Sequence, residues 1–354
     1  MSDHMRSAIM RHKGRIELES RPIPEIGPDD VLVRVAYVGI CGSDLALFEN
    51  GYIGDKVVPG PMGLGHEASG TVVAIGDRVS SLAVGDRVAL EPGIPCGHCW
   101  LCARGHYNLC RDVSFWASPP VTEGALQEYV RHPASLCFRI PRSMTLLEGA
   151  LVEPLSVGYY SVLNSGFRMG NSAAVLGAGG VGLLLMLCLR AAGAGTILVS
   201  DLHPHRLETA KSIGGERVAV LNGDAAIGDV DASLSDGVDF VFESAGSAFT
   251  MNRAISLVRP GGTVVFIGYT HGGHADLNVN LLIDKEVTVK TSFRYRHVYD
   301  KVVAAVSSGT ISVNQVVSDV FPFDAVQDAM ERALYEKKLT TKCVVAVSPE
   351  SVDD

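Results

Sequence analysis

Four cysteines in a C-x2-C-x2-C-x7-C run, Cys96, Cys99, Cys102 and Cys110, constrain this chain more than any other stretch. Two-residue spacings bring thiolates round a single ion, and four thiolates complete a tetrahedron that leaves no position for a substrate. The run lies in the turn-rich segment Pro92-Gly-Ile-Pro-Cys-Gly-His-Cys99, so the expected feature is a closed structural zinc lobe over residues 92–112. His98 and His106 read as loop residues, because the tetrahedron is already full.

The other cysteines and the bulk properties narrow the class further. Eight cysteines without an apolar signal core in Met1-Ser2-Asp3-His4-Met5-Arg6 point to metal ligation in a reducing, cytoplasmic compartment rather than disulfides. Cys137, Cys188 and Cys343 stand in apolar surroundings and read as small buried hydrophobes. At 354 residues, 47% of them apolar, the chain has the length and the material for two cores. Its net charge of −9 is spread out with no basic stripe, which argues against nucleic acid as a partner. The longest apolar stretch, Val181 to Leu189, stops at Arg190, too short to span a bilayer. It reads as a helix buried against a sheet, and no membrane partner is expected.

Up to about Arg142 the chain reads as short strands. Val31–Val38, Gly70–Ile75 and Arg87–Glu91 run between turn residues such as Gly76-Asp77 and Gly85-Asp86, the pattern of a closed or nearly closed β-barrel. The rhythm changes near Thr145, where helical periods begin. Strand–helix units then follow from Ser172 to Ile267, which implies a parallel sheet covered on both faces. A final strand, Lys342–Val347, is expected to return to the first domain, and Gly262–Ile267 offers an edge strand between subunits.

Gly177-Ala-Gly-Gly-Val-Gly182 follows a strand and opens the long apolar helix. The first glycine permits a tight turn, the second a close backbone approach to pyrophosphate, and the third close packing of helix on strand. The helix start then presents free N–H groups and a positive dipole end to the phosphates. Asp201 closes the next strand, where a carboxylate accepts the ribose hydroxyls and repels a 2′-phosphate, so NAD is the expected cofactor. Arg206, with His203 and His205, stands close enough in sequence to soften that preference.

Read in order, Gly-Ile-Cys41-Gly-Ser43-Asp, Gly-His66-Glu67-Ala-Ser-Gly, Gly-Asp-Arg-Val, the cysteine cluster and Gly-Ala-Gly-Gly-Val-Gly resemble the zinc-containing medium-chain dehydrogenases. The resemblance covers nearly the whole chain. It implies an α/β protein with a GroES-like β-barrel catalytic domain, residues 1–152 and 293–354, around a doubly wound Rossmann domain, 153–292. Within the family, Tyr52-Ile-Gly-Asp-Lys-Val-Val58, Ser114-Phe-Trp-Ala-Ser-Pro-Pro120, Glu148–Gly158 and Phe293-Arg-Tyr295 resemble the sorbitol (polyol) dehydrogenases.

What that resemblance implies is a catalytic zinc bound by Cys41, His66 and Glu67, with Glu153 beside it as water-bridging or alternative ligand. Ser43 would hydrogen-bond the reacting oxygen. Arg294 and Tyr295 would face the polyol and the nicotinamide end of NAD, and Phe115 would line the cleft. Gly177, Gly179, Gly180, Val181, Gly182, Asp201, Arg206, Ile267 and Phe293 make up the implied cofactor contacts. The implied reaction moves hydride between the secondary hydroxyl of a polyol or diol and NAD, in a homodimer or homotetramer. Leu45, Ala46 and Leu47 replace a valine, a relay histidine and a tyrosine of the sorbitol enzymes, which predicts a more apolar pocket wall. Other readings are a threonine-type or short secondary alcohol dehydrogenase, and a catalytically silent zinc- and NAD-binding protein.

Overall fold

The computed structural model describes residues 3–221 and 231–349. Met1 and Ser2 of the segment read for signal character, and the last residues of the segment 293–354, lie outside them.

The first 140 residues and two strands from the end of the described chain build the barrel. Asp30–Gly39 is its central strand, pairing with Glu67–Ile75 on one side and with Tyr129–Pro133 and Cys343–Ala346 along the other, all antiparallel. Arg87–Leu90 and Cys137–Arg139 extend the sheet beyond Glu67–Ile75, and Asp319–Pro322 extends it beyond Cys343–Ala346. Val31, Val33, Val35 and Val38 fill the core with Val88, Leu90 and Val345. The expected return of the last strand is observed. Val344 lies opposite Gly39, and Glu67 opposite Gly39 on the other side. That register carries Lys342 to the start of Glu67–Ile75. The hairpin His4–His12/Arg15–Pro22, invisible in the sequence reading, covers the barrel against Met62–Gly63.

Thr145 opens the helical part with a capping box, its hydroxyl accepting from the Glu148 N–H while Glu148 accepts from the Thr145 N–H. Helices Leu146–Ala150 and Val152–Ser165 follow. The second sheet is wholly parallel, in the order Val218–Val220, Ile197–Ser200, Ala173–Leu176, Val238–Glu243, Val258–Phe266, Thr288–Thr291. Alternate residues face opposite ways. Ala173, Val175, Val199 and Phe242 enter one core, and Ala174, Leu176, Leu198 and Val241 the other. Helix Gly180–Ala191 is buried continuously from Gly182 to Leu189, which explains its unbroken apolar run.

The strand order reverses between Ala173–Leu176 and Val238–Glu243, and the crevice at their carboxyl ends is where open α/β sheets bind ligands. One expectation fails. Gly262–Ile267 is not an edge, because Val258–Phe266 is flanked on both sides, and the outer strand is Thr288–Thr291.

Candidate active site

Cys41 caps helix Gly42–Asn50 at the end of the central barrel strand, while His66 immediately precedes the neighbouring strand that Glu67 begins. Their ligand atoms all lie within 4.8 Å of one another, with His66 and Glu67 fully buried. Asp44, for which the sequence reading had no role, braces this corner. Its carboxylate accepts from the N–H groups of Cys41 and Gly65, at 3.0 Å each, and lies 3.5 Å from His66 Nδ1. A carboxylate behind one ring nitrogen is the usual way an imidazole is oriented for a metal on the other. Burial alone would raise Asp44, yet the facing His66 and the two N–H donors hold it below the usual carboxylate range. Gly39 leaves the space for Glu67, since a Cβ there would overlap the Glu67 carboxylate.

Lys342 is the second residue missed. Buried at 5% exposure, its ammonium donates to Ile40 O at 2.9 Å and to Glu67 Oε1 at 2.6 Å. Its stem lies 3.2 Å from where a Cβ on Gly180 would sit. One lysine side chain therefore spans from the glycine loop to the metal corner.

Glu153 is buried beside them and accepts from Tyr295 Oη at 2.6 Å. Burial pushes its carboxyl up to about 7, with His66 opposing the shift and Glu67 adding to it. Ser43 is half-buried in the first turn of helix Gly42–Asn50. Phe115 packs its ring 5.4 Å from that of His66 and carries the Arg294 guanidinium 3.8 Å above it. Its neighbour Trp116 turns into the barrel core against His132. Arg294 forms no ion pair among the described residues; its guanidinium is held between Phe115 and Phe293, with Nη1 buried and without a hydrogen-bond partner. Of the three residues expected to make an apolar wall, Ala46 is half-buried. Leu47 lies in the barrel core, and Leu45 packs against the same cluster.

The four lobe cysteines meet as well. Their sulfurs lie 3.5 Å (Cys99–Cys102), 3.9 Å (Cys99–Cys110) and 4.0 Å (Cys96–Cys102) apart, as free thiols rather than disulfides. A tetrahedron with metal–sulfur bonds of about 2.3 Å has edges of about 3.8 Å, so the donor set fits one zinc. Cys137, Cys188 and Cys343 are buried elsewhere in the two cores.

The lobe also grips the segment that carries Arg294 and Tyr295. Asn108 Nδ2 donates to Phe293 O at 2.8 Å, the His297 N–H donates to Tyr107 Oη at 2.8 Å, and His297 Nε2 lies 2.9 Å from Gly105 O. Arg294 and His297 both have positive φ, 54° and 53°, a conformation that needs such external support.

In the glycine loop Gly177 has φ 100°, a Cβ on Gly179 would meet only Arg206, and a Cβ on Gly182 would overlap Gly177 O. These are the turn, the open approach and the close packing expected of the three positions. Gly180 and Val181 form the first turn of the following helix. Asp201 accepts from the N–H groups of Ala178 (2.7 Å) and His203 (2.9 Å), with Arg206 Nη1 at 3.7 Å. Ile267 and Phe293 are half-buried just beyond the two strands at that end of the sheet.

Glu91, which follows strand Arg87–Leu90 and feels the charge of Glu153, supplies a pH signature. Burial raises its carboxyl to about 7, Tyr107 opposing and Glu153 and Asp300 adding. A native group that holds its proton longer than the unfolded one loses stability as pH rises from about 4.5 to 7. The loss should approach roughly 3 kcal/mol. Glu91→Gln should flatten the urea-unfolding stability profile across that window; an unchanged slope would assign it to other groups.

Residues 27–142 match the alcohol dehydrogenase GroES-like domain family, and residues 180–308 match the zinc-binding dehydrogenase family. The chain is 40% identical over 343 residues to a sorbitol dehydrogenase of Bacillus subtilis, covering 97% of each protein. It is 39% identical to a probable D-xylulose reductase A of Aspergillus clavatus, with 95% of each covered. Among solved structures, an Escherichia coli oxidoreductase/dehydrogenase of unknown specificity superposes with a TM-score of 0.91 at 39% identity, over 98% of this chain and 99% of the other.

Proposed function

This chain belongs to the zinc-containing medium-chain dehydrogenases, and from that membership we propose a zinc-dependent enzyme that moves hydride reversibly between the secondary hydroxyl of a polyol and NAD, giving a ketose. The observation that carries the reading is Lys342, which joins the glycine loop to the Cys41–His66–Glu67 corner and so sets both within one crevice.

In this proposal Cys41, His66 and Glu67 hold the catalytic ion, and Cys96, Cys99, Cys102 and Cys110 the structural one. Zinc at the first site supplies Lewis acidity that makes a bound hydroxyl easier to deprotonate. Three protein ligands would leave zinc able to take the substrate hydroxyl, and Glu153, oriented by Tyr295, is buried beside them. Ser43 would hydrogen-bond the reacting oxygen and pass its proton toward the cofactor ribose or an ordered water, the route left when Ala46 stands in the relay position. Phe115 and Arg294 wall the cleft and keep water from the reacting carbon. Lys342 neutralises part of the negative charge that Glu67 brings.

NAD over NADP is supported by Asp201, whose carboxylate stands at the end of the second strand, with Arg206 as the group that moderates it. The division into residues 1–152 with 293–354, and 153–292, belongs to the same proposal. So do a cytoplasmic location, supported by two thiolate-bearing metal sites, and a homodimer or homotetramer, supported by the outer strand Thr288–Thr291. No helix among the described residues is long and apolar enough to cross a membrane.

A panel of pentitols, hexitols and 2,3-diols with NAD or NADP, followed by NADH or NADPH absorbance, tests the reading. Polyols should reduce NAD, the signal should vanish with a chelator and return with zinc, and Asp201→Ala should narrow the NAD-over-NADP ratio by roughly tenfold. No turnover of any member by zinc-replete protein would favour the silent alternative.

A further inference from the structure

Lys56 has no part in the site described so far. It lies on the small hairpin Tyr52–Ile53/Lys56–Val57, which turns through Gly54 at φ 59°. Its ammonium donates to Ser118 Oγ at 2.8 Å, in the turn that follows Phe115. An ammonium has three N–H donors and a guanidinium five. Among the described residues that is the one hydrogen bond Lys56 makes, and Arg294 Nη1 is buried without a partner. Neither cation has a carboxylate within ion-pair distance among the described residues. Asp55, the adjacent acid, is exposed and leaves Lys56 unpaired.

Both cations reach the Phe115–Ser118 turn, Lys56 through Ser118 and Arg294 over the Phe115 ring, and like charges at one turn repel each other. Burial and then the charge of Arg294 pull Lys56 below its ordinary range against the opposing charge of Asp55, and burial lowers Arg294 against Tyr295, Tyr269 and Glu153. An anion between them turns this repulsion into charge-assisted hydrogen bonds, which are among the strong ones. The position suits the far end of a substrate. Phe115 separates Arg294 from His66, with centroid distances of 3.8 Å on one side and 5.4 Å on the other. An extended polyol adds roughly 1.3 Å per carbon. From a second carbon beside His66 a six-carbon chain extends roughly 5 Å, and a terminal phosphate carries its oxygens a few ångströms further, toward the Phe115–Ser118 turn that both cations reach.

We propose that the substrate is an anionic polyol, with a terminal phosphate or carboxylate held between Lys56 and Arg294. The proposal rests on the polyol reading and names its substrate class; Lys56 is its specificity-determining residue.

The test uses zinc-loaded native protein, Lys56→Met and Lys56→Arg with NAD. The substrates are D-glucitol, D-mannitol and galactitol, their terminal phosphates and the corresponding hexonates. For at least one stereochemistry an anionic member should exceed its uncharged parent by about 30-fold or more in kcat/KM, mainly through KM, and that KM should rise with salt. Lys56→Met should cut the anionic-to-neutral ratio by about tenfold or more, and Lys56→Arg should retain it. A preference for phosphates or for hexonates identifies the group. Equal handling of neutral and anionic members by the native protein would overturn the anion proposal while the polyol reading stands. A Lys56→Met effect confined to the KM for NAD would overturn it too, placing Lys56 on the cofactor. Oxidation of none of these compounds would remove both.

Discussion

His66→Ala should lower turnover by about a thousandfold or more, a loss of about 4 kcal/mol in transition-state stabilisation, while leaving NAD binding within a few-fold. The imidazole is the best-oriented member of the Cys41–His66–Glu67 corner, because Asp44 fixes it from behind and Phe115 packs on its face. Without it two ligands remain, one of them shared with Lys342. The glycine loop and Asp201 belong to a separate layer, so the dinucleotide site should survive. Turnover measured with saturating NAD, together with NADH binding by fluorescence, checks the split. Parallel loss of both would indicate a folding defect. Turnover within tenfold of native would remove His66 from the chemistry.

Cys99→Ser is expected to have the second-largest effect, through position rather than chemistry. Metal binding by a closed site is folding free energy for the lobe that holds it. The lobe in turn fixes Phe293–His297 through Tyr107, Asn108 and Gly105. Loosening it frees two residues held at positive φ and lets Arg294 and Tyr295 leave their places. The variant should lose roughly 5 °C in Tm and at least about tenfold in kcat/KM for the polyol, with the KM for NAD changed far less. Asn108→Ala, which keeps all four thiolates, should reproduce the kinetic loss with less of the thermal one. Native kinetics in both variants would make the lobe a local staple without influence on the cleft.

Particular residues show why the sequence was readable in some places and silent in others. The glycine loop was legible because each glycine answers a separate steric demand, at φ 100° for Gly177 and by lack of room for a Cβ at Gly182. The cysteine cluster was legible because its ligands are close in sequence. Cys41, His66 and Glu67 were not, since the pairing of their strands brings them together; the resemblance to a family supplied what spacing did not. Asp44 and Lys342 escaped for the same reason. An Asp three residues into a helix reads as a capping residue, and a single Lys before an apolar strand reads as a solvated end. Only the register of Cys343–Ala346 on Asp30–Gly39 buries that lysine against Glu67. The edge assigned to Gly262–Ile267 failed because an apolar strand marks burial on both faces and says nothing of its rank within a sheet. The more polar strand Thr288–Thr291 takes the outside.

The decisive measurement is zinc counted per chain in native protein and in His66→Ala. The native chain should hold two ions and the variant one, with polyol-dependent NAD reduction present only where the second ion is bound. A native chain that holds a single ion while fully active, or a variant that keeps two and still turns over, would contradict it.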